Sequence, residues 1–293
     1  MDERDWLAVR FEENRGRLRA VAYRMLGSHA EADDAVQESW LRLSRTDGDT
    51  IENLGGWLTT VVGRVCLDML AARRSRREEP LDGHLPDPLV VPDDGRGPES
   101  EAVLADSVGL ALLVVLDTLD PAERLAFVLH DMFAVPFPQI AELVDRSPEA
   151  ARQLASRARR KVQGATPVPD DLHRQREVVD AFLAAARAGD FEALVAVLDP
   201  DVLLRADRGT APGAASRTIR GAAAVAGQAL LFAVPGRAVR PALVNGASGL
   251  VVRGSGGRLI AVLGFTVTGG QIREIDVLAD PVRVSQIVLE EFA

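Results

Sequence analysis

The sequence predicts a multidomain fold: two all-α domains, the second built on a helix-turn-helix, followed by an α+β domain. Three observations predict it. The chain has 293 residues, long for one hydrophobic core, and 47% of it is apolar, enough to fill several cores. Two proline-rich breaks divide it, "EEPLDGHLPDPLVVPDDGRGPESE" at 78–101 and "GATPVPDDLH" at 164–173. Apolar residues recur at helical spacing through most of the chain, then alternate between glycines near its end, and helices followed by strands is the order of an α+β domain.

The first block reads as helices. "LRAVAYRMLG" has helical spacing and stops at Gly27. Ser28 with Glu31 three residues on is a capping-box pattern. The helix it opens, about 29–44, turns Ala32, Ala35, Val36, Ser39, Trp40 and Leu43 inward and Asp33, Asp34, Gln37, Glu38 and Leu41 outward. After the polar loop "TDGDTIENLGG", a helix runs from Trp57 to about Arg77 and buries Leu58, Val61, Val62, Val65 and Met69. Arg64, Asp68, Arg73 and Arg74 stay outside, and its end, "RRSRR", is strongly basic.

The second block is helical too. "SVGLALLVVLDTL" is one helix, and Asp120, Pro121 and Glu123 supply a cap, a first-turn proline and a capping-box acid for the next. "FPQIAELV", the three residues Asp145–Ser147 and a helix over 148–162 then fit a helix-turn-helix, with Ser147 as cap and Pro148 in the first turn. On that last helix Ala151, Leu154, Ala155, Ala158 and Val162 form an inward stripe. Glu149, Arg152, Gln153, Ser156, Arg157 and Arg160 are left outside. In such a motif the second helix enters the major groove, where Arg pairs with guanine and Gln with adenine, so Arg152 and Gln153 are placed to read bases. Arg159, Arg160 and Lys161, near the far end, are placed to hold phosphates.

Charge placement matters more than its sum. The net charge is −9, yet two helix ends carry "RRSRR" and "RARRK", while residues 84–105 hold five acids against one arginine. Two basic helices on separate domains, joined by an acidic linker, point to bipartite DNA binding. No run of 18 uncharged apolar residues appears, so no membrane span is expected. The charged start "MDERDWLAVR" lacks a secretory apolar core, and the single cysteine, Cys66, reads as a core residue. Together these agree with the cytoplasm. The acids at 31–38 have no histidine beside them except His29, so no metal site is expected.

"AYRMLGSHAEADDAVQESWLRL", "GGWLTTVVGRVCLDMLAARR" and "LDTLDPAERLAFVLHDMFAVPFPQIAELVDRSPEAARQLASRARRKV" resemble, in order, the two conserved domains of the extracytoplasmic-function sigma factors of bacteria, and cover nearly all of residues 10–163. The resemblance implies a domain at 1–77 that binds core RNA polymerase and the −10 element, a flexible acidic linker at 78–105, and a helix-turn-helix domain at 106–163 that binds the −35 element. It implies that Asp33, Asp34, Gln37, Glu38 and Leu41 dock on core polymerase. It implies that Asn53 and the helix bearing Arg64, Asp68, Arg73 and Arg74 bind the −10 element, and that Arg152, Gln153, Ser156, Arg157 and Arg160 read the −35 element. Core RNA polymerase and promoter DNA are the partners implied. This chain departs from the family's pattern at Gln139, often Glu, and at Asp145, often Gly; aspartate tolerates the left-handed conformation the turn needs.

Residues 174–293 resemble the SnoaL-like fold, a cone-shaped α+β barrel, as carried by one subfamily of these sigma factors. "HLPDPL" at 84–89 is similar to that subfamily's linker motif, with His84 in place of the usual Trp, and "DRGTAPG" at 207–213 is a degraded form of its Gly-rich turn. "ALVNGASGLVV" and "DVLADPVRV" resemble two further segments. The resemblance implies a regulatory domain that packs on the linker through Leu85, Pro86, Pro88, Asp207, Asn245, Gly246, Asp280 and Pro281. Between residues 174 and 293 there is no His, Cys or Tyr, which leaves Asp207, Glu274 and Asp276 as candidate bases. No catalytic residue and no cofactor is expected, and the cone leaves room for a small ligand. Two other classes compete with the sigma factor: a ligand-responsive helix-turn-helix regulator that acts without docking on polymerase, and a SnoaL-type enzyme with a tethering module.

Overall fold

A computed structural model describes residues 3–46, 51, 53–75, 84–93, 108–165, 168–209, 216–232 and 236–287. The chain divides into two compact units, residues 1–79 with 113–166 and residues 80–112 with 167–293.

The first unit is all helix. α1 (Glu3–Leu26), α2 (His29–Leu43) and α3 (Leu54–Ser75) pack together through Leu18, Val21 and Met25, Ala32, Val36 and Leu43, and Leu58, Val62, Val65, Cys66 and Leu70. Burial pushes the Cys66 thiol up to about 12, as suits a small core side chain. Val61 and Met69 are only half-buried, because Cys66 and Leu70 take the inward positions. α3 passes for a membrane span by length and composition, but its apolar face is spent in this core. The Ser28 side chain makes no capping bond, and Glu31, assigned above to the same box, pairs with Arg73 instead.

α4 (Leu110–Asp117), whose residues 110–112 belong to the second unit, is followed by α5 (Pro121–Phe127), a π-helical turn (Val128–Met132), α6 (Phe137–Leu143) and α7 (Pro148–Ala165). Pro121 stands in the first turn of α5, but Asp120 makes no side-chain capping bond there and Glu123 is drawn to α7. The turn between α6 and α7 is as expected: Asp145 is left-handed at φ 54°, and Ser147 Oγ accepts the Ala150 N–H at 3.2 Å. Within the unit the two sets of helices meet at Gly63. A methyl group there would stand 3.2 Å from Leu125 Cδ1 and 3.4 Å from Leu129 Cδ1, so any larger residue makes these leucines give way by a few tenths of an ångström. Arg124, buried, donates to the Met25 carbonyl at 2.8 Å and to Asp117 at 2.8 Å.

The second unit is α+β. α8 (Leu172–Ala188) and α9 (Phe191–Val197) are capped by Asp171 and Asp190, and Gly189 at φ 71° ends α8. With α10 (Ala222–Phe232), they contribute Val179, Phe182, Leu194, Val225 and Ala226 to a core shared with Leu204, Leu250, Phe265, Ile272 and Ile275 of the sheet. The strands are β1 (Val90–Pro92), β2 (Leu198–Asp207), β3 (Arg217–Arg220), β4 (Ala238–Val244), β5 (Ala247–Arg253), β6 (Leu259–Thr268) and β7 (Gln271–Leu278). Their order is β1-β4-β5-β6-β7-β2-β3, with β2 parallel to β7 and the other pairs antiparallel. β1 and β3 stand at the two ends, so pairing does not close the cone into a full barrel. Strand β1 comes from the proline-rich segment between the helical blocks. Asn245 and Gly246, at φ 51° and 80°, make the tight β4–β5 turn. A short helix, α11 (Pro281–Gln286), follows β7, capped by Asp280 through the N–H groups of Val282 and Arg283.

Candidate functional site

In the first unit, helical periodicity puts the acidic residues of α2 on one flank. Asp33, Asp34, Gln37 and Leu41 are exposed and Glu38 is half-exposed. Leu41 is 40% exposed, an apolar centre among carboxylates. Asp33 accepts from Arg19 Nε at 2.7 Å and Glu38 from Arg42 Nε at 3.0 Å. Exposed pairs of this kind hold a few tenths of a kcal/mol and open readily to a partner.

At the head of α3, Asn53 is exposed and its Oδ1 accepts the Gly56 N–H at 3.0 Å. Arg64 and Asp68 share one exposed face, 3.9 Å apart, and Arg64 Nη1 also donates to the Leu143 carbonyl at 2.9 Å. Arg73 is half-buried, folded onto Glu31 and the Leu26 carbonyl, so it is occupied within its own helices and does not stand outside as expected. Arg74 is on the same helix, and its side chain lies outside the described residues.

On α7 the buried stripe is Ala151, Ala155 and Ala158, with Leu154 and Val162 half-buried beside it. Arg152, Gln153, Ser156, Arg157 and Arg160 are exposed. Arg152 lies over the Phe137 ring at 5.3 Å, which holds it at the N-terminal end of the helix. Three cations of the basic run are engaged. Arg157 and Lys161 both reach buried Glu123, at 3.0 and 2.7 Å, and Arg159 reaches Asp131 at 2.9 Å. Burial pushes the Glu123 carboxyl up, but Lys161 and Arg157 outweigh it and hold it below the usual range. Arg159 and Lys161, read above as phosphate holders, are therefore also structural braces. The helical pattern put Arg157 outside and Arg159 and Lys161 near the far end, but gave none of them its partner.

In the second unit the proline-rich segment is anchored along its length. Leu85, Pro86 and Pro88 are buried. Asp207 Oδ2 accepts the Leu85 N–H at 2.9 Å and Arg283 Nη1 at 2.6 Å, and His84 Nδ1 lies 3.2 Å away. Arg283 also donates to the Leu85 carbonyl and to Asp87 Oδ1 at 2.6 Å. Burial alone would raise the Asp207 pKa; bonds from His84, Leu85 and Gly209, with the Arg283 charge, bring it down to about 2. Asp207 is thus held in an ion pair that anchors the segment. Farther on, Val90, Val91 and Pro92 pair with Val244, Leu243 and Ala242, and Asp93 holds Arg176. Asn245 serves two places at once. Its Oδ1 accepts the Leu89 N–H and its Nδ2 donates to the Val108 carbonyl, both at 3.0 Å. Gly246 gives Asn245 its turn, and Asp280 with Pro281 caps the helix that presents Arg283. Of the eight expected linker-contact residues, Asp207 and Asn245 bond the segment directly, Leu85, Pro86 and Pro88 are buried parts of it, and Gly246, Asp280 and Pro281 shape the turn and the helix beside it. Asp87, Arg283 and the Arg176–Asp93 pair were missed. No periodicity joins residues almost 200 positions apart, and the proline-rich spacing reads as loop.

The two remaining candidate bases are paired. Arg205 donates to Asp276 Oδ1 at 2.8 Å and to Glu274 Oε2 at 2.7 Å. Burial pushes Asp276 up to about 6 despite Arg205. Among the described residues no cluster of metal-ligating side chains occurs.

Residues 10–77 match Sigma-70 region 2, and residues 109–162 match Sigma-70 region 4. The chain is 39% identical to the ECF RNA polymerase sigma factor SigJ of Mycobacterium tuberculosis, over 96% of this chain and 94% of that protein. It is 34% identical to the probable ECF RNA polymerase sigma factor SigI of the same species, over 96% of each. The crystal structure of M. tuberculosis SigJ superposes with a TM-score of 0.74 at 38% identity, covering 96% of this chain and 100% of that one.

Proposed function

The chain belongs to the extracytoplasmic-function RNA polymerase sigma factors, which direct core RNA polymerase to specific promoters and initiate transcription, and from that premise we propose that its C-terminal domain regulates initiation by holding the linker between regions 2 and 4. The observation that supports this reading is the linker anchor. Asp207, Arg283 and Asn245 bind the linker backbone by charge-assisted and buried hydrogen bonds, and Leu85, Pro86 and Pro88 lose their contact with water. A free linker of about 28 residues reaches at most roughly 90 Å. An anchored one reaches far less, so the anchor sets how freely the two DNA-binding regions can separate.

In this reading Asp33, Asp34, Gln37, Glu38 and Leu41 dock on core polymerase. Asn53, Arg64 and Asp68 face the −10 element, the resemblance adds Arg74 to them, and Arg73 braces the helix that carries them. Arg152, Gln153, Ser156 and Arg160 face the −35 element, with Arg157 shared between DNA and Glu123. The protein works without covalent catalysis, in the cytoplasm. Bases at Asp207 and Glu274 are spent in ion pairs, which favours a regulatory domain over an enzyme. The alternative, a regulator that ignores polymerase, is not favoured, because it leaves region 2 without a role.

The test removes the last 15 or so residues in steps and compares promoter-specific transcription with core-polymerase binding. Transcription changes while binding stays constant. Constant transcription across the series would overturn the regulatory reading.

A further inference from the structure

Beside Asp276 the second unit has a cavity of about 40 Å³, walled by Leu110, Ala111, Pro169, Val244 and Phe265, with Thr266 as a second polar group. Asp276 pairs across the sheet with Gly264, so both residues face the same side. Gly264 leaves its side-chain space empty, and Leu110 enters it: a methyl group at Gly264 would stand 2.9 Å from Leu110 Cδ2. Leu110 is the first residue of α4, the helix that opens region 4. Two residues before it, Val108 is held by Asn245, which also holds Leu89. Leu110, which lines the cavity and enters the space beside Gly264, is therefore continuous with the linker anchor. A well-packed interior leaves few voids larger than a water molecule, and here the void ends on a carboxylate of which Arg205 takes one oxygen.

We propose that this cavity binds a small ring compound bearing one hydroxyl group, of the size and class of a simple phenol, in the space that Leu110 occupies. The inference rests on the linker-regulation reading for its consequence, but not for the binding itself. The apolar wall takes the ring. The hydroxyl donates to the Asp276 carboxylate, a charge-assisted bond that separates a phenol from a hydrocarbon of the same shape. A cavity on the order of 150 Å³, such as a leucine-sized deletion leaves in a core, binds benzene. The present void is too small for that until Leu110 withdraws, so ligand and Leu110 compete for one space. Binding then lowers the occupancy of the Val108–Asn245 contact and loosens the linker. Apparent affinity falls by the fraction of molecules with Leu110 withdrawn.

The probe is p-cresol, titrated into the full-length protein and followed by calorimetry, with toluene for comparison. Leu110→Ala binds p-cresol at least tenfold more tightly than the parent chain, and at least tenfold more tightly than it binds toluene. Leu110→Val, which preserves most of the packing, lies between and guards against a variant that fails to fold. Adding Gly264→Val to Leu110→Ala refills the space and abolishes binding. In the parent chain, saturating p-cresol speeds hydrogen exchange at the Leu89 and Asn245 amides. Equal affinity for p-cresol and toluene overturns the assignment of Asp276. Equal affinity of the parent and Leu110→Ala overturns the shared space. If p-cresol binds as stated and the truncation series leaves transcription unchanged, the regulatory reading falls and the binding site stands.

Discussion

Arg283 Nη1 donates to Asp207 at 2.6 Å, although 75 residues separate them in the chain, and the same guanidinium grips Asp87 and the Leu85 carbonyl. Both side chains are largely buried, so each needs the other. Removing one partner of a buried pair leaves the other charge unpaired, at a cost of about 3–5 kcal/mol. Arg283→Ala therefore releases residues 84–89, read as faster hydrogen exchange at Leu85. Arg283→Lys releases them too, because a lysine cannot serve two carboxylates and a carbonyl with one planar fork. Protection unchanged in both variants would sink the anchor.

Two carboxylates of the same unit give opposite pH effects. The folded-state pKa of Asp207, about 2, lies below its ordinary 3.8. Its contribution, about 2 kcal/mol, is full above roughly pH 4 and lost as the pH falls through about 2. That of Asp276, about 6, is raised by burial. Its ionisation opposes folding above that pH, and the penalty is relieved as the pH falls toward 4. Urea midpoints measured against pH should therefore show Asp276→Asn removing a gain between pH 7 and 4. Asp207→Asn removes a loss below pH 4. Parallel curves for parent and variants would contradict both assignments.

Reversing the charge at Asp33, Asp34 and Glu38 to lysine changes the α2 flank without touching the core. The pairs lost, to Arg19 and Arg42, are exposed, and the fold loses about 1 kcal/mol or less for each. Binding to core polymerase, measured by fluorescence anisotropy, weakens at least a hundredfold. Normal binding and initiation by the triple variant would remove α2 as the docking face.

The cations of α7 separate into two kinds. Arg152→Ala and Gln153→Ala relax base preference in the −35 element, each at about 1–3 kcal/mol, with little change in stability. Arg159→Ala instead breaks the bond to Asp131 and lowers the melting temperature of the first unit. Competition between promoter variants, paired with thermal unfolding, tells them apart. A stability loss in Arg152→Ala equal to that in Arg159→Ala would erase the distinction.

Much of the first unit was legible in local pattern. A stripe of apolar residues every three or four positions marks an inward face, and this located α2, α3 and α7 and the exposed polar residues of α2 and α7, though not the inward-folded Arg73 of α3. Capping was less legible. Ser28, Glu31 and Glu123 have the right types at the right spacing, yet the two acids went to Arg73, Arg157 and Lys161, because a charged partner from another helix outweighs a local cap. The proline-rich segment was the hardest to read. Its prolines and acids suggest a free linker, and nothing in it announces that Val90–Pro92 will extend a sheet formed by residues 198–278.

By itself the sequence determined the helical modules, the turn at Asp145, the run of strand-forming segments and glycine turns near the end, and the family the chain belongs to. All of these depend on residues close together in the chain, where spacing and backbone preference act directly. Only the tertiary structure decided that Arg283 meets Asp207 and Asp87, that Asn245 joins Leu89 to Val108, and that Leu110 fills the space above Gly264. Those contacts join residues tens to hundreds of positions apart. They form because a buried carboxylate, carboxamide or vacant glycine face must be satisfied by whatever the fold brings beside it, and a linear pattern does not encode which residue that will be.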